Sequence, residues 1–544
     1  MSLAFKHPGD EAYAHARASD SPCSKRAAPW VLAATILGSS MAFIDGTVIN
    51  VTLPALQREF QATLVDLQWV IESYALLLAA LLLTGGSLGD RYGRRRVFLI
   101  GTGLFTIASL ACALASSVAQ LVAARAIQGI GGALLVPGSL AILSASFDKE
   151  NRGRAIGTWS GFTSITAAIG PVLGGWLIDH LSWRAAFLIN VPIAFAVIGI
   201  SLRWVPESRG TNRPAALDWL GALVATASLA GIVYALLESS NVGWTHPGIL
   251  VPLAAGAAGL YALLAIERRA QDPMLPLGLF RSRTFAAANL LTFFLYGAMA
   301  GLFLFLPMNL IQVQGDSATS AGAAILPFIL MMFLLSRWSG GLFDRFGSRL
   351  PLTIGCSISA LGFLLLARAG IGESYWTSFF PGICVLGVGM ATTVAPLTTA
   401  VMSGAPSGHV GAASGINNAV SRVAGLIAVA VFSIVMLRVF EHRLERELSQ
   451  IALPTPVRAQ ILSGSKSLAA VPLPQSAGAD DRPKIERAIQ EAFVGGFRTV
   501  ILVAAGLTLL SALIALTMIG GRAQTRRRRV RSRPGHERGP GSSN

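Results

Sequence analysis

A single aspartate, Asp45, sits inside a long apolar run with no cation close to it in sequence. An ionised group at membrane depth costs at least ~2.5 kcal/mol on insertion scales, so such a residue should face a cavity or a partner. Desolvation disfavours its charge, and a neighbouring cation favours it. That competition lets one carboxyl take a proton in one state and release it in another. The competing reading is a structural aspartate bonded to a neighbouring helix. Two more charged residues lie in apolar runs at similar depth. Arg125 is about five residues from the end of its run, or ~8 Å at 1.5 Å per residue. Glu72 lies near the same level in another run, so Asp45, Arg125 and Glu72 are placed to share one layer. Snorkelling to the interface competes for Arg125, and simple access to water competes for Glu72.

Other chemistry is missing from the sequence. A phosphate loop needs a Lys directly after a Gly, and no Lys here follows a Gly. The seven histidines are scattered through loops and tails, and the four cysteines (Cys23, Cys112, Cys356 and Cys384) form no CxxC pair. The sequence therefore predicts no ATP-driven motor, no enzyme, no disulfide framework, no metal site and no cofactor.

Positioning a buried acid and cation requires a membrane-spanning scaffold, and the composition supplies one. Of 544 residues, 53% are hydrophobic and only 13% charged. A soluble domain usually carries about 25% charged residues. A span needs about twenty mostly apolar residues. Candidate spans lie at 30–54, 67–86, 97–118, 120–144, 154–178, 185–204, 217–238, 248–267, 286–313, 320–343, 352–370, 376–401, 415–437 and 497–519. The net charge of +16 would suit nucleic acid, but its distribution speaks against that. Arg91, Arg94, Arg95 and Arg96 follow span 2; Lys149, Arg152 and Arg154 follow span 4; Arg268, Arg269, Arg281 and Arg283 follow span 8; Arg345 and Arg349 follow span 10. Loops after odd spans hold few cations, chiefly Arg58, Arg184 and Arg368. By the positive-inside rule the termini and even loops are cytoplasmic, and the chain is a multi-pass protein of the cell inner membrane. Segment 1–26 lacks the short apolar core of a signal peptide, so the first span is expected to target the chain. The basic tail is expected to anchor topology or contact anionic lipid.

The chain also repeats itself. Segment 86–95 reads GSLGDRYGRR and segment 340–349 reads GGLFDRFGSR. Asp90 and Arg91 correspond to Asp344 and Arg345, and Gly86 and Gly93 have counterparts too. If spans 7 and 8 are an insertion, each copy follows the second helix of a six-helix half. Two related halves around a midplane cavity are a common transporter plan. The expected organisation is a cytoplasmic tail (1–29), a first six-helix half (30–204) and a linker with two inserted spans (205–285). A second half (286–519) carries a long outer loop over 438–492, with a surface helix near 485–493, and a basic tail covers 520–544. Span 5 is rich in small residues and proline: Gly157, Gly161, Gly170, Pro171, Gly174 and Gly175. Small residues let helices approach closely, and Pro171 removes a backbone donor.

These features together resemble a known family. DGTVINVTLP from Asp45, WVIESY from Trp69, the 86–95 loop, RAIQGIGG from Arg125, GPVLGG from Gly170, and Trp183, Arg184, Phe187, Asn190 and Pro192 are similar to the fourteen-helix drug:proton antiporters of the major facilitator superfamily, of EmrB/QacA type. So is the DPMLPL run from Asp272 with Phe280 and Arg281. The resemblance implies an all-α polytopic fold of two six-helix halves plus two inserted helices. It implies proton-driven export of hydrophobic or cationic small molecules by alternating access, with Arg125 tuning the span 1 acid. It makes the loop with Gly86, Asp90, Arg91, Gly93, Arg94 and Arg95 a cytoplasmic gate, in which Asp90 pairs with a helix dipole or an arginine of the other half. It makes span 5 the antiporter-associated helix, although Thr166 stands where the family pattern has glycine. The implied partners are a small-molecule substrate, protons and the lipid bilayer; in a two-membrane host a periplasmic adaptor would extend the route. A dedicated exporter of one endogenous metabolite or antibiotic fits the same residues.

Overall fold

In a computed structural model, residues 23–24, 26–209, 219–269, 276–406 and 410–520 are described. Among them there is no β-strand, and fourteen helices are long and apolar enough to cross a membrane. The spans are built on α1 (Ala28–Phe60), α2 (Leu64–Tyr92), α3 (Arg94–Ala113), α4 (Val118–Ser146), α5 (Lys149–His180), α6 (Asn190–Trp204, continuing the short helix Ala185–Leu188), α7 (Trp219–Val242), α8 (Pro247–Arg269), α9 (Arg283–Gln312), α10 (Leu326–Phe346), α11 (Arg349–Leu366), α12 (Phe380–Ser403), α13 (Val410–Ser449) and α14 (Arg482–Met518). A short helix, Ala318–Ala323, leads into α10. The tails at 1–22 and 521–544 and the start of the DPMLPL run lie outside the described residues.

Local chemistry sets the turns between helices. Thr63 and Asp66 form a reciprocal capping box at the start of α2, and Ser117, Asp148 and Ser282 cap α4, α5 and α9 with their side chains. Each cap satisfies backbone N–H groups that the first helical turn leaves without a partner. Long apolar stretches do the rest, because backbone polar groups in lipid must bond within the helix.

The same packing pattern occurs twice. Helix α4 packs on α2 and α3 as α12 packs on α10 and α11. Helices α1 and α3 both meet α6, as α9 and α11 both meet α14. The chain is therefore two six-helix halves, α1–α6 and α9–α14, with α7 and α8 inserted between them. The inserted pair is joined through small residues: Gly231 lies against the Pro252 carbonyl and Gly256 against the Ser228 carbonyl. Helix α7 rests on α2 of the first half and α13 of the second.

We call the end where α1 begins and α14 finishes the near end, and the opposite one the far end. The described cross-half hydrogen bonds are at the far end. Gln57 of α1 accepts from Gln312 Nε2 of α9 at 2.8 Å and donates to the Ser467 carbonyl at 2.8 Å. Asp179 of α5 caps the Ala318–Ala323 helix, accepting from Thr319 N at 2.8 Å and Ala318 N at 3.2 Å. No ion pair or hydrogen bond joins the halves at the near end among the described residues.

One expectation fails here. Segment 438–492 is not a long loop: α13 continues to Ser449 and α14 begins at Arg482, so the expected surface helix near 485–493 is the start of α14. The reason is a buried apolar stripe hidden among charges. Phe440, Leu444 and Leu448 on α13 join Ile485, Ile489 and Phe493 of α14 in one core, while Arg438, Glu441 and Arg446 flank the stripe. The pair runs past the far end, and residues 450–481 fold back as a cap, placing Leu468 in the core and Ser467 on α1.

Candidate functional site

Asp45 lies fifteen residues before the end of α1, or ~22 Å along a helix axis. Its Oδ2 accepts a hydrogen bond from Arg125 Nη1 at 2.5 Å, and its Oδ1 accepts one from Gln128 Nε2 at 2.8 Å. Arg125 Nη1 also donates to Gln128 Oε1 at 2.8 Å, and its Nε donates to the Val70 carbonyl at 3.2 Å. The guanidinium carbon sits 4.3 Å from the centre of the Tyr74 ring, a cation–π contact. The acid and arginine side chains are 1% and 0% exposed. Sequence makes this enclosure possible. Gly129 of α4 lies against the Tyr74 carbonyl of α2, and Gly131 lies against the backbone of Phe105 on α3. A Cβ at either position would push α4 away and open the site.

Glu72 shares the depth of this pair but not its surroundings. Arg125 bonds the Val70 carbonyl, two residues away in α2. The Glu72 side chain makes no hydrogen bond with either member, although it is 1% exposed and its Oε2 has no partner. Residues 65, 69, 72, 76 and 79 fall on one helical stripe. Val65, Trp69, Leu76 and Ala79 from that stripe pack with Leu229, Val233 and Leu237 of α7 and with Leu426 and Ala430 of α13. Trp69 Nε1 donates to Glu238 Oε1 of α7 at 2.9 Å. The three residues thus share a layer, but Glu72 belongs to the seam with the inserted helix.

The span 5 element divides in two. Gly170 and Gly174 pack against Thr47 and Val48 of α1, just beyond Asp45. Gly175 meets the Ala318 backbone, and the Pro171 carbonyl meets Gly322, so the same helix closes on the second half at the far end. Gly157 has open space around it, which leaves it outside the close-packing role. Thr166 bonds the Thr163 carbonyl in its own helix at 2.9 Å.

At the near end, Asp90 pairs with Arg94 at 2.8 Å, one turn away, and with no described residue of the second half. Arg95 donates to the Val205 carbonyl at 3.0 Å, and its backbone N–H donates to Glu207 Oε1 at 3.0 Å. Gly93 adopts φ +116°, and a Cβ there would stand 2.8 Å from the Glu207 carboxylate. Gly86 is in ordinary contact with Pro137, and Arg91 lies over the neighbouring Tyr92 ring. The loop is thus tied to the segment after α6, within its own half. Asp344 and Arg345 close the second copy at the end of α10, and their side chains lie outside the described residues.

Gln128, Tyr74, Glu207 and Asp179 were not singled out as site residues from sequence. Gln128 had a signal, since it lies three residues after Arg125 and so on the same helix face. Glu207 and Asp179 had none, because their partners are distant in sequence.

Comparison with known proteins fits this architecture. The sequence profile of the Major Facilitator Superfamily matches residues 35–429. The chain is 35% identical over 496 residues to the multidrug resistance protein Stp of Mycobacterium tuberculosis (strain CDC 1551 / Oshkosh), covering 90% of each chain. It is 31% identical over 499 residues to the tetracenomycin C resistance and export protein of Streptomyces glaucescens, covering 90% of this chain and 92% of that one. Its fold matches the inward-facing, occupied structure of a bacterial homolog to the human lysosomal transporter Spinster, with TM-score 0.63 and 18% identity over 90% of this chain and 97% of that chain. The chain is a multi-pass membrane protein and belongs to the Major Facilitator Superfamily of transporters.

Proposed function

We propose that this protein exports hydrophobic small molecules in exchange for protons, as a drug:proton antiporter of the fourteen-helix type. The observation that carries the reading is the ion pair of Asp45 and Arg125, enclosed within the membrane-spanning part of the first half. Both carboxylate oxygens of Asp45 accept hydrogen bonds, as the ionised form requires. A proton on Asp45 cancels its attraction for Arg125 and frees the guanidinium to find other acceptors. The pair therefore has two arrangements, and protonation selects between them.

The arginine-rich loops make the near end cytoplasmic, so the termini are cytoplasmic and the protein sits in the inner membrane. Far-end contacts of α1, α5 and the cap hold the two halves together there, while no described hydrogen bond or ion pair joins them at the near end. In the inward-open state of the proposed cycle Asp45 gives up its proton and substrate enters from the cytoplasm. Protonation from the opposite face would then accompany release. The loop with Asp90 acts as the cytoplasmic gate once the halves close there. Glu72, in its apolar seam, is a second proton carrier: an ionised carboxylate enclosed without a partner would cost several kcal/mol. A dedicated exporter of one antibiotic is the second reading, supported by a relative named for tetracenomycin C.

The test uses everted membrane vesicles from an efflux-deficient host, with an imposed proton gradient and a panel of cationic and anionic dyes. Wild type should move at least one dye in a gradient-dependent, uncoupler-sensitive way, and Asp45→Asn at equal expression should not. Movement that ignores the uncoupler would sink proton coupling; movement that survives Asp45→Asn would shift it to another carboxyl.

A further inference from the structure

The charge of Asp45 is already engaged by Arg125 and Gln128, so that acid offers no free carboxylate to a cationic substrate. The unmatched charge is on the other half. Arg422 of α13 lies four residues before Leu426 and eight before Ala430, the two α13 residues fully buried in the seam with α2. It therefore sits one turn from that seam, toward the near end. It is half-buried, and no ion pair or hydrogen bond engages it among the described residues. Glu72 is enclosed in the seam. Helix α2 packs against α13 along this seam, and Tyr74 of α2 is close enough to Arg422 for their charges to interact. The Tyr74 hydroxyl is buried and has no partner, and its ring is held in place by Arg125 at 4.3 Å.

A guanidinium within a span costs roughly 2.5–3.5 kcal/mol even on the mildest scale. With no partner among the described residues, its natural partner is one that comes and goes. Arginine offers a rigid fork of donors that matches a carboxylate or a related oxyanion, and it cannot accept. The phenolic O–H supplies a further donor from the opposite half. A cationic group in the same place meets like charge in low dielectric, where repulsion is strong.

We propose that Arg422 and the Tyr74 hydroxyl form the recognition point for an anionic group, such as a carboxylate or phenolate, on an otherwise hydrophobic substrate. The site rests on the export reading above and narrows its substrate class. Because one donor comes from each half, a bound anion bridges α2 and α13, which links occupancy to the relative position of the halves.

The test separates charge recognition from transport. Fluorescein and rhodamine 123 share a xanthene ring system and carry opposite charge. Their binding to the purified full chain is followed by fluorescence anisotropy, with no gradient present. Wild type should bind fluorescein at least tenfold more tightly than rhodamine 123. Arg422→Gln should weaken fluorescein binding tenfold or more and leave rhodamine 123 unchanged or tighter. Arg422→Lys should recover part of the loss, and Tyr74→Phe should cost a few-fold for the anion alone. Size-exclusion profile and Tm verify that each variant is folded. Preference of wild type for rhodamine 123, or equal weakening of both dyes by Arg422→Gln, overturns the proposal. Proton-driven dye movement in proteoliposomes is scored separately. Arg422-dependent anion binding without such movement keeps this site and overturns the export reading; proton-driven movement of rhodamine 123 that Arg422→Gln leaves intact does the reverse.

Discussion

Arg125 Nη1 stands 2.5 Å from Asp45 Oδ2, eighty residues away in sequence, and neither side chain reaches solvent. Breaking a buried pair by removing one partner costs ~3–5 kcal/mol, because the other charge is left uncompensated. Arg125→Ala should therefore lower Tm sharply in detergent. Asp45→Asn keeps the shape of the acid and should cost less. The double variant should be more stable than Arg125→Ala alone, since it removes the stranded carboxylate. A Tm for Arg125→Ala within a degree of wild type would show that the two charges are not coupled.

Glu72 calls for the opposite outcome. Its carboxyl lies in an apolar seam, and no described cation pairs with it. Glu72→Gln keeps the shape and removes the possibility of charge, so stability should hold or rise. The informative readout is protons moved per substrate, measured with a pH dye inside proteoliposomes. A lower ratio in Glu72→Gln assigns it a coupled proton; an unchanged ratio removes Glu72 from the proposed coupling.

Asp179 ties α5 to the start of the Ala318–Ala323 helix through two backbone N–H groups and the Thr319 hydroxyl. Asp179→Ala removes all three bonds from one side of the far-end closure. A cysteine placed at Gln312 should then react severalfold faster with a membrane-impermeant maleimide added outside. Equal rates in the two backgrounds would mean that the bond of Gln57 to the Ser467 carbonyl and the close approach of Gly175 hold the closure by themselves.

How much of this was legible beforehand follows the range of each signal. Span positions, the inserted pair and the duplicated loop depend on local hydropathy and short motifs, and they could be read directly. So could the depth of Asp45, Arg125 and Glu72. What depth does not give is the face: Glu72 turns from the Asp45 pair because residues 65 to 79 align it with Trp69 and Leu76, and a stripe names its partner only once α7 is seen beside it. The extension of α13 was hidden because charges every few residues lower its hydropathy, although Phe440, Leu444 and Leu448 are fully buried. The motif around Asp90 was legible as a repeat, but not that the partner of Asp90 here is Arg94.

Gly93 tests the backbone of the 86–95 loop. A side chain at φ +116° is strained, and its Cβ would crowd the Glu207 carboxylate. Strain at such positions costs about 1–3 kcal/mol. Gly93→Ala should lower both Tm and transport, while Gly157→Ala, in open space, should change neither.

Asp316, in the turn between α9 and the Ala318–Ala323 helix, offers a pH test outside the membrane spans. Burial holds its carboxyl above the ordinary aspartate value. The folded state therefore keeps this proton more tightly than the unfolded state. Its contribution is favourable at low pH and is lost as pH rises from the unfolded value through the folded one. Asp316→Asn should raise Tm at neutral pH and bring no gain well below pH 4, where the acid is already protonated in both states. An equal gain at both pH values would assign the effect to packing instead.

The cap over residues 450–481 belongs to the second half yet places Ser467 on Gln57 of the first. Any rearrangement that separates the halves at the far end must lift this segment off α1, and the paired extensions of α13 and α14 must carry it. A nanobody that grips both the cap and the tip of α1 would thus act as a splint, locking the two halves to each other at that end.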